Sequence, residues 1–228
     1  MNINKIKNLA EETEGRSRIL FGWQLKLVAC VAFIWSLFQL WYASPLPFIV
    51  GFGVFIDVPA RAIHLGFGLF LAFLLFPFNK KNRSKKINIF NFLLSVIAFF
   101  VTFYLFYNYE SLVYRNGVLL KHPVSLFGNN FLFPTELIIG GIGMLLLLEA
   151  TRRAIGLPLV IVASIFLIYS IFGQSMPEII SHQGLSLKRL VGYHWFGGEA
   201  IFGIPISVSV SFVFLFVLFG SMLDFAGG

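Results

Sequence analysis

The chain of 228 residues is 58% hydrophobic and contains 29 Phe, with a mean hydropathy of +0.86. That much apolar surface exceeds what the core of a water-soluble domain can bury, so the composition predicts an all-α integral membrane protein with several spanning helices in a lipid bilayer. The net charge of +7 comes from short basic clusters between apolar runs, which indicates membrane topology and no nucleic-acid partner. Cys30 is the only cysteine, which excludes a disulfide within the chain.

The N-terminal segment, residues 1–20, is polar and charged, and no small-residue cleavage site follows the first apolar run. We therefore predict a cytoplasmic segment and no cleaved signal peptide. In the first apolar run, Trp23 and the Trp41–Tyr42 pair would lie about 27 Å apart on a helix. This distance is close to the thickness of the hydrocarbon layer, as expected for aromatic anchors at the two interfaces.

Apolar runs long enough to cross a bilayer, which takes about 20 residues, predict about six spanning helices: Phe21–Tyr42, Arg61–Phe78, Ile87–Tyr107, Phe133–Glu149, Gly156–Gly173 and Ile201–Leu223. The stretch Pro45–Val58 is also apolar, but prolines and glycines interrupt it, which favours an interfacial or re-entrant segment. In the last span, Pro205 near the start favours an ordinary N-terminal turn over a broken helix.

Two connections have a pattern of their own. Ser186 can cap a short amphipathic helix on the membrane surface, with one face formed by Leu187, Leu190, Val191, His194 and Trp195. The segment Asn108–Lys121 mixes aromatic and polar residues and predicts an ordered outer connection. Small residues predict close helix packing at four places: Ala62 with Gly66, Gly68 with Ala72, Gly140 with Gly141 and Gly143, and Ser207 with Ser211.

Three basic clusters alternate with the spans so that they share one side of the membrane: Lys5, Lys7, Arg16 and Arg18; Lys80, Lys81, Arg83, Lys85 and Lys86; and Arg152 and Arg153. The opposite loops carry fewer basic residues. The positive-inside rule therefore places the N-terminus in the cytoplasm, and an even number of spans places the C-terminus there too.

The residues that carry chemistry are sparse. The sequence has no glycine-rich phosphate loop, zinc-binding histidine pair or nucleophile elbow, so we predict no catalytic residue, no metal site and no enzyme. The histidines map to the outer face or close to it, at spacings that match no ligand pattern, and are expected to be ordinary interfacial residues: His64, His122, His182 and His194. Glu136 and Glu149 flank the fourth span, and Glu149 can pair with Arg153 one turn on. This pair predicts a structural contact at the cytoplasmic interface, with a gating or coupling role as the alternative.

Several segments together resemble the N-terminal part of the fused membrane subunit of tripartite ATP-independent periplasmic (TRAP) transporters: Arg61-Ala-Ile-His-Leu-Gly-Phe, Leu148-Glu-Ala-Thr-Arg-Arg, and Ile201-Phe-Gly-Ile-Pro running to Val213-Phe-Leu-Phe-Val-Leu-Phe-Gly. The resemblance covers essentially the whole chain. It rests on the order and spacing of these segments, with four spans before the second of them. The type partnered by TAXI-type periplasmic binding proteins is the most similar.

The resemblance implies that residues 21–153 form a four-helix domain like the small subunit and that residues 154–228 begin a domain like the large subunit. Family members are secondary transporters of the bacterial inner membrane, typically sodium-coupled, which import organic acids delivered by a periplasmic binding protein. Their substrate and sodium sites lie further along the large subunit. We therefore expect these sites beyond residue 228, with the remainder of the large subunit as a partner, and no cofactor within this chain.

The resulting hypothesis is the scaffold part of a TRAP permease, with outer elements near Arg61, Asn108–Lys121 and Ser186–Trp195 receiving the binding protein. Arg61, Glu149, Arg152 and Arg153 are the structural or interface candidates. Two alternatives remain, a membrane assembly factor and a lipid-modifying membrane enzyme. The enzyme would require Asp, His or Arg side chains that converge on one site at an interface.

Overall fold

The computed structural model describes residues 17–18, 20–78, 87–115, 118–126 and 129–227, with only the backbone for residues 122–133. Most of the predicted cytoplasmic segment, residues 1–20, therefore lies outside the described residues. The basic cluster at residues 80–86 also lies outside them.

Helices form most of the described chain, in the order α1 Trp23–Ala43, α2 Leu46–Val50, α3 Asp57–Leu75, α4 Ile89–Tyr114, α5 Thr135–Ala154, α6 Leu157–Ile171, α7 Leu187–Val191 and α8 Ile204–Ala226. A π-helical segment, Gly192–Phe196, continues α7, and another, Ser209–Val213, lies within α8. Two short 3-10 helices, Gly173–Ser175 and Glu178–Ile180, follow α6. The predicted interruption after α1 takes the form of α2, which is followed by Gly51 in the left-handed conformation with φ 71°.

A two-stranded antiparallel hairpin joins α4 to α5. Strand β1, His122–Leu126, pairs with β2, Asn129–Phe133, with His122 opposite Phe133. The helical class is thus shown for the bundle, and the hairpin is an addition that the helical reading of the sequence did not contain. Its residues overlap the predicted start of the fourth span at Phe133, so α5 begins two residues later, at Thr135.

Four of the described helices are long and apolar enough to cross a membrane: α1, α3, α4 and α8. This supports a multi-pass membrane protein. Helix α5 has 20 residues but carries charged residues at both ends. Helix α6 has 15 residues and spans about 22 Å, which is shorter than a hydrocarbon core of about 30 Å. The count of about six spans therefore stays a prediction.

Helix α3 lies at the centre of the bundle, in contact with α1, α4, α5 and α8. Ala62 is fully buried, and a Cβ added at Gly66 would lie 2.5 Å from Thr102 Oγ1 on α4. This close approach is the packing that the small residues of α3 predict. In contrast, α1 and α8 leave large apolar side chains such as Phe33 and Phe216 exposed, as helices that face lipid do.

The short helix predicted after Ser186 is present as α7, and the Arg189 amide donates to the Ser186 hydroxyl at 3.3 Å. Its apolar face was expected to lie on the membrane surface, and in the structure most of this face packs against protein. Leu190, Val191 and Trp195 are buried, and Val191 and Trp195 lie where a Cβ at Gly140 or Gly143 would be. The glycines of α5 lack side chains, so they form a groove that accepts this face.

Candidate functional site

The four predicted interface candidates lie at opposite ends of the bundle. Arg61 lies one turn into α3, at the end where α3 and α5 begin, which we call the outer end after the predicted orientation. Glu149, Arg152 and Arg153 lie near the end of α5, at the inner end. About 21 Å of helix separates Arg61 from the last residue of α3. The structure therefore divides these residues between two sites.

Arg61 joins α3 to the segment that precedes α8. Its Nη1 donates to the backbone carbonyl of Phe202 at 2.8 Å, and Phe202 is fully buried. The Nη2 of Arg61 lies 3.4 Å from Asp57 Oδ2, but the Asp57 side chain is 73% exposed, so this ion pair adds little stability. The main structural role of Arg61 is therefore its bond to the Phe202 carbonyl.

An enclosed ion pair ties together the segments at the outer end. Glu136, which is fully buried, accepts hydrogen bonds from Arg115 Nη2 at 2.8 Å and Nη1 at 3.1 Å. It also accepts one from the Tyr104 hydroxyl at 3.2 Å and one from the Leu120 amide. The hydrogen bond to Glu136 raises the pKa of Arg115. These bonds fasten α4 and the chain that follows it to the first turn of α5.

A groove of about 680 Å³ lies next to this ion pair at the outer end. It is lined by Val118, Leu119, Ser186, Lys188, Arg189, Gly192, Tyr193 and Gly197. The described lining has two cationic side chains and no carboxylate, so the groove has a positive potential. Such a groove attracts an acidic surface of a partner protein and increases the rate of encounter with it.

His64 lies at the centre of a polar cluster between three helices. Its Nδ1 faces Trp35 Nε1 at 3.3 Å and the side-chain amide of Gln39 on α1, and its Nε2 lies 3.1 Å from Ser209 Oγ on α8. An indole N–H can only donate, so Nδ1 accepts and the proton of the neutral ring lies on Nε2. His64 is buried and lies about 10 Å along α3 from its first residue.

The other described histidines contact backbone groups of nearby residues. The Nε2 of His182 lies 3.1 Å from the Tyr169 carbonyl, its Nδ1 accepts from the Gly184 amide at 3.1 Å, and the His194 Nδ1 lies 3.0 Å from the Leu190 carbonyl. The side chain of His122 lies outside the described residues. Across the part of the chain that the structure describes, no three histidine, cysteine or carboxylate side chains are grouped as metal ligands.

The inner end contains a cluster of guanidinium groups, which we call the arginine cluster: Arg18, Arg152 and Arg153. Glu149 accepts from Arg152 Nε at 2.7 Å and Nη2 at 2.8 Å, and from Arg153 Nε at 2.7 Å. The predicted pair of Glu149 with Arg153 is thus present, and Arg152 shares the same carboxylate. Arg153 Nη1 donates to Asn91 Oδ1 on α4 at 2.9 Å, which links α5 to α4.

Arg18 is the third member of the arginine cluster. Its backbone amide donates to the Leu75 carbonyl at the end of α3 at 2.8 Å, and the side chain is buried with 7% exposure. Burial lowers the pKa of Arg18, and the positive charge of Arg153 lowers it further. The sequence analysis assigned Arg18 only a role in topology, because nothing in its neighbourhood along the chain shows that it folds back against α3.

The partners Gln39, Asn91 and Arg115 were not singled out from the sequence. Gln39 and Asn91 offered a signal, since each is a polar amide in a predicted span, where an unpartnered polar group is costly. Arg115 offered none, because it resembles any other basic loop residue until the chain brings it to Glu136.

No protein-family model matches the sequence, and no curated protein or solved structure matches it either.

Proposed function

We propose that this chain is the scaffold part of a TRAP permease, which docks a TAXI-type periplasmic binding protein at its outer end. The permease would import an organic acid selected by the binding protein, at the expense of an ion gradient. In this proposal the chain lies in the bacterial inner membrane with its N-terminus in the cytoplasm. The substrate and sodium sites belong to the remainder of the large subunit.

The observation that carries the proposal is a contact between two of the segments on which the resemblance rests. Arg61, in the first segment, donates to the carbonyl of Phe202 in the third at 2.8 Å. The same hydrophobic core includes Val58 and Leu105 from the region like the small subunit and Trp195 and Phe202 from the region like the large one. A scaffold needs such a shared core, because it must hold the moving part of a transporter at a fixed position.

The groove at the outer end supports the docking role. Its lysine and arginine lie on α7, which is held against α5 by buried Leu190 and Trp195. A rigid support of this kind keeps Lys188 and Arg189 in place before a partner arrives, which reduces the entropy cost of binding. The absence of a carboxylate from the described lining favours a partner with an acidic surface.

Binding of the purified chain to its binding protein tests this function. The chain is reconstituted in lipid nanodiscs, and the TAXI-type binding protein of the same genome is applied over a range of concentrations. We expect saturable binding that weakens as salt is raised from 50 to about 300 mM, because exposed charges are screened over about 10 Å. Absence of binding by the wild-type chain at every concentration would reject the docking role.

The double variant Lys188→Gln and Arg189→Gln tests the groove itself. We expect its affinity to fall about tenfold and its dependence on salt to decrease, since two charge contacts are lost. Lys26→Gln is the matched control, because Lys26 is exposed near the inner end and should not alter binding. Equal affinities for the double variant and the wild type would place the docking surface elsewhere.

A further inference from the structure

We propose that the arginine cluster at the inner end binds a phosphate group, supplied by the headgroup of an anionic lipid or by free phosphate. The proposal rests on the side chains of this cluster and is independent of the TRAP hypothesis. Three features support it: an excess of positive charge, buried donors without partners, and a predicted location at a membrane interface.

The charges in the cluster do not balance. Arg152 and Arg153 share one carboxylate, that of Glu149, and Arg18 adds a third guanidinium group close to Arg153. Both Glu149 oxygens already accept hydrogen bonds from the two arginines of α5. Two positive charges therefore remain without a counterion among the described residues. Like charges repel more strongly where water is excluded, so an anion that joined the cluster would relieve a real cost.

Several donors in the cluster have no acceptor. Arg18 Nε, Arg18 Nη1 and Arg153 Nη2 are buried and make no hydrogen bond. Arg153 is 4% exposed and Arg18 is 7% exposed, so solvent does not satisfy these groups at the surface. A buried donor that lacks a partner costs about 1–3 kcal/mol, and more when it is charged. A phosphate has enough acceptor oxygens to satisfy all three donors.

The guanidinium of Arg153 is fixed in place. It lies over the ring of Phe73, with Cζ 4.9 Å from the ring centroid, while Glu149 and Asn91 hold its Nε and Nη1. Its remaining nitrogen, Nη2, is thus presented in a fixed direction. The backbone amide of Arg18 donates to the Leu75 carbonyl at the end of α3, and the Arg18 guanidinium is close enough to Arg153 for the two positive charges to interact.

Arg152 is the most accessible member of the cluster. Its side chain is 28% exposed, its Cζ lies 4.6 Å from the Phe78 ring centroid, and an incoming anion would meet it first. The unpartnered atoms of Arg18 are shielded from solvent. Binding therefore requires the Arg18 side chain to reorient toward the anion. Arginine suits phosphate because its planar fork can donate two parallel hydrogen bonds.

The location favours a lipid headgroup as the source. Basic pockets between helices at the cytoplasmic side of membranes attract anionic lipids, and the predicted orientation places the arginine cluster on that side. The sequence adds five more cations, at residues 80–86, in the segment between Phe78 and Ile87. A water molecule would satisfy a donor but would leave the excess charge unbalanced.

Thermal unfolding in neutral detergent distinguishes the two sources. The midpoint is measured with added phosphatidylglycerol, with phosphatidylcholine and with inorganic phosphate at millimolar concentration. A lipid site predicts that phosphatidylglycerol raises the unfolding midpoint more than phosphatidylcholine or inorganic phosphate does. Native mass spectrometry should then also detect retained phosphatidylglycerol. A rise with inorganic phosphate equal to that with phosphatidylglycerol would identify a site for free phosphate. No rise with either anion overturns the proposal.

The variant Arg18→Gln ties the effect to the cluster. We expect phosphatidylglycerol to bind about tenfold more weakly, since a charge-assisted hydrogen bond is lost. In phosphatidylcholine alone the same variant should be at least as stable as the wild type, because a buried unpaired charge has been removed. The variant Arg18→Lys keeps the charge. Its affinity for phosphatidylglycerol should lie between those of the wild type and Arg18→Gln. Arg189→Gln, at the outer end, is the control and should respond as the wild type does.

A response of Arg18→Gln to phosphatidylglycerol that equals that of the wild type overturns the proposal. Should the glutamine variant fail to fold, the lysine variant and the three additions to the wild-type protein still decide the result.

Discussion

Glu136 is a carboxylate enclosed by protein, and its hydrogen bonds determine whether it stabilises the outer end. Its side chain is 0% exposed, while that of its partner Arg115 is 21% exposed. Taking a carboxylate out of water is costly, and the cost is offset here because Arg115, Tyr104 and the Leu120 amide all donate to it. The presence of such a network is weak evidence that it stabilises the protein. Removal of one partner, however, strongly destabilises the protein, because the other charge is left buried without compensation.

The variant Glu136→Gln should therefore lower the free energy of unfolding by about 2–3 kcal/mol, since Arg115 would lose its only described carboxylate partner. The partial exposure of Arg115 keeps the value below that of a fully enclosed pair. Chemical unfolding in detergent measures the change. Glu178→Gln is the control, because Glu178 is exposed at the same end, and its effect should stay within about 0.5 kcal/mol. Equal effects of the two variants would contradict the role of Glu136.

At the scale of elements, the contact between α5 and the segment of α7 and Gly192–Phe196 depends on glycines. A Cβ added at Gly143 would lie 2.3 Å from Trp195 Cζ2, whereas one added at Gly141 would meet nothing within 4 Å. Trp195 is fully buried against Phe202, with ring centroids 5.6 Å apart, so the indole has no free space to move into. The two glycines lie on the same helix and differ only in what they face.

This difference predicts opposite effects of the same substitution. Gly143→Ala should destabilise the protein by about 1–3 kcal/mol through overpacking. Gly141→Ala should be neutral or stabilise it by up to about 1 kcal/mol, because alanine restricts the unfolded chain more than glycine does. Unfolding of both variants in the same detergent tests the pair. A stabilising Gly143→Ala would show that Trp195 is loosely packed.

At the scale of the whole molecule, helix α6 decides the number of spans. Its 15 residues are fewer than the about 20 that a span usually needs, yet it carries no charged residue, and Ile165 and Phe166 are exposed. A short helix can still cross if the bilayer thins locally, at a modest cost. The predicted orientation requires α6 to cross, because it places residues 155 and 174 on opposite sides.

Single cysteines in a Cys30→Ser background test this topology. With a membrane-impermeant maleimide, Gln174→Cys should be labelled in spheroplasts, and Ile155→Cys only in inside-out vesicles. Ile155 is 58% exposed, and Gln174 is also exposed, so both positions are accessible to the reagent. Glu178→Cys is a control expected to behave as Gln174→Cys does. Labelling of Gln174→Cys only in inside-out vesicles, as for Ile155→Cys, would mean that α6 does not cross.

Predictions from the sequence succeeded where an interaction is local along the chain. The pair of Glu149 with Arg153 lies one helical turn apart, the Ser186 cap lies within its own turn, and the long apolar runs became α1, α3, α4 and α8. Hydropathy sums over a window, so it identifies a long apolar helix whatever surrounds it. Hydropathy does not decide whether α6 crosses the membrane, because a helix of that length is compatible both with a short span and with a buried core element.

What the sequence by itself determined is the apolar, helical character of this protein, the position of its long apolar helices and the contacts within single turns. Only the tertiary structure decided that α7 packs on the glycines of α5, that Arg115 meets Glu136, and that Arg18 lies with Arg152 and Arg153. These residues are far apart along the chain, and composition and periodicity describe a helix without its neighbours. Which face meets which is set by packing and charge between elements, and that choice exists only once the helices are assembled.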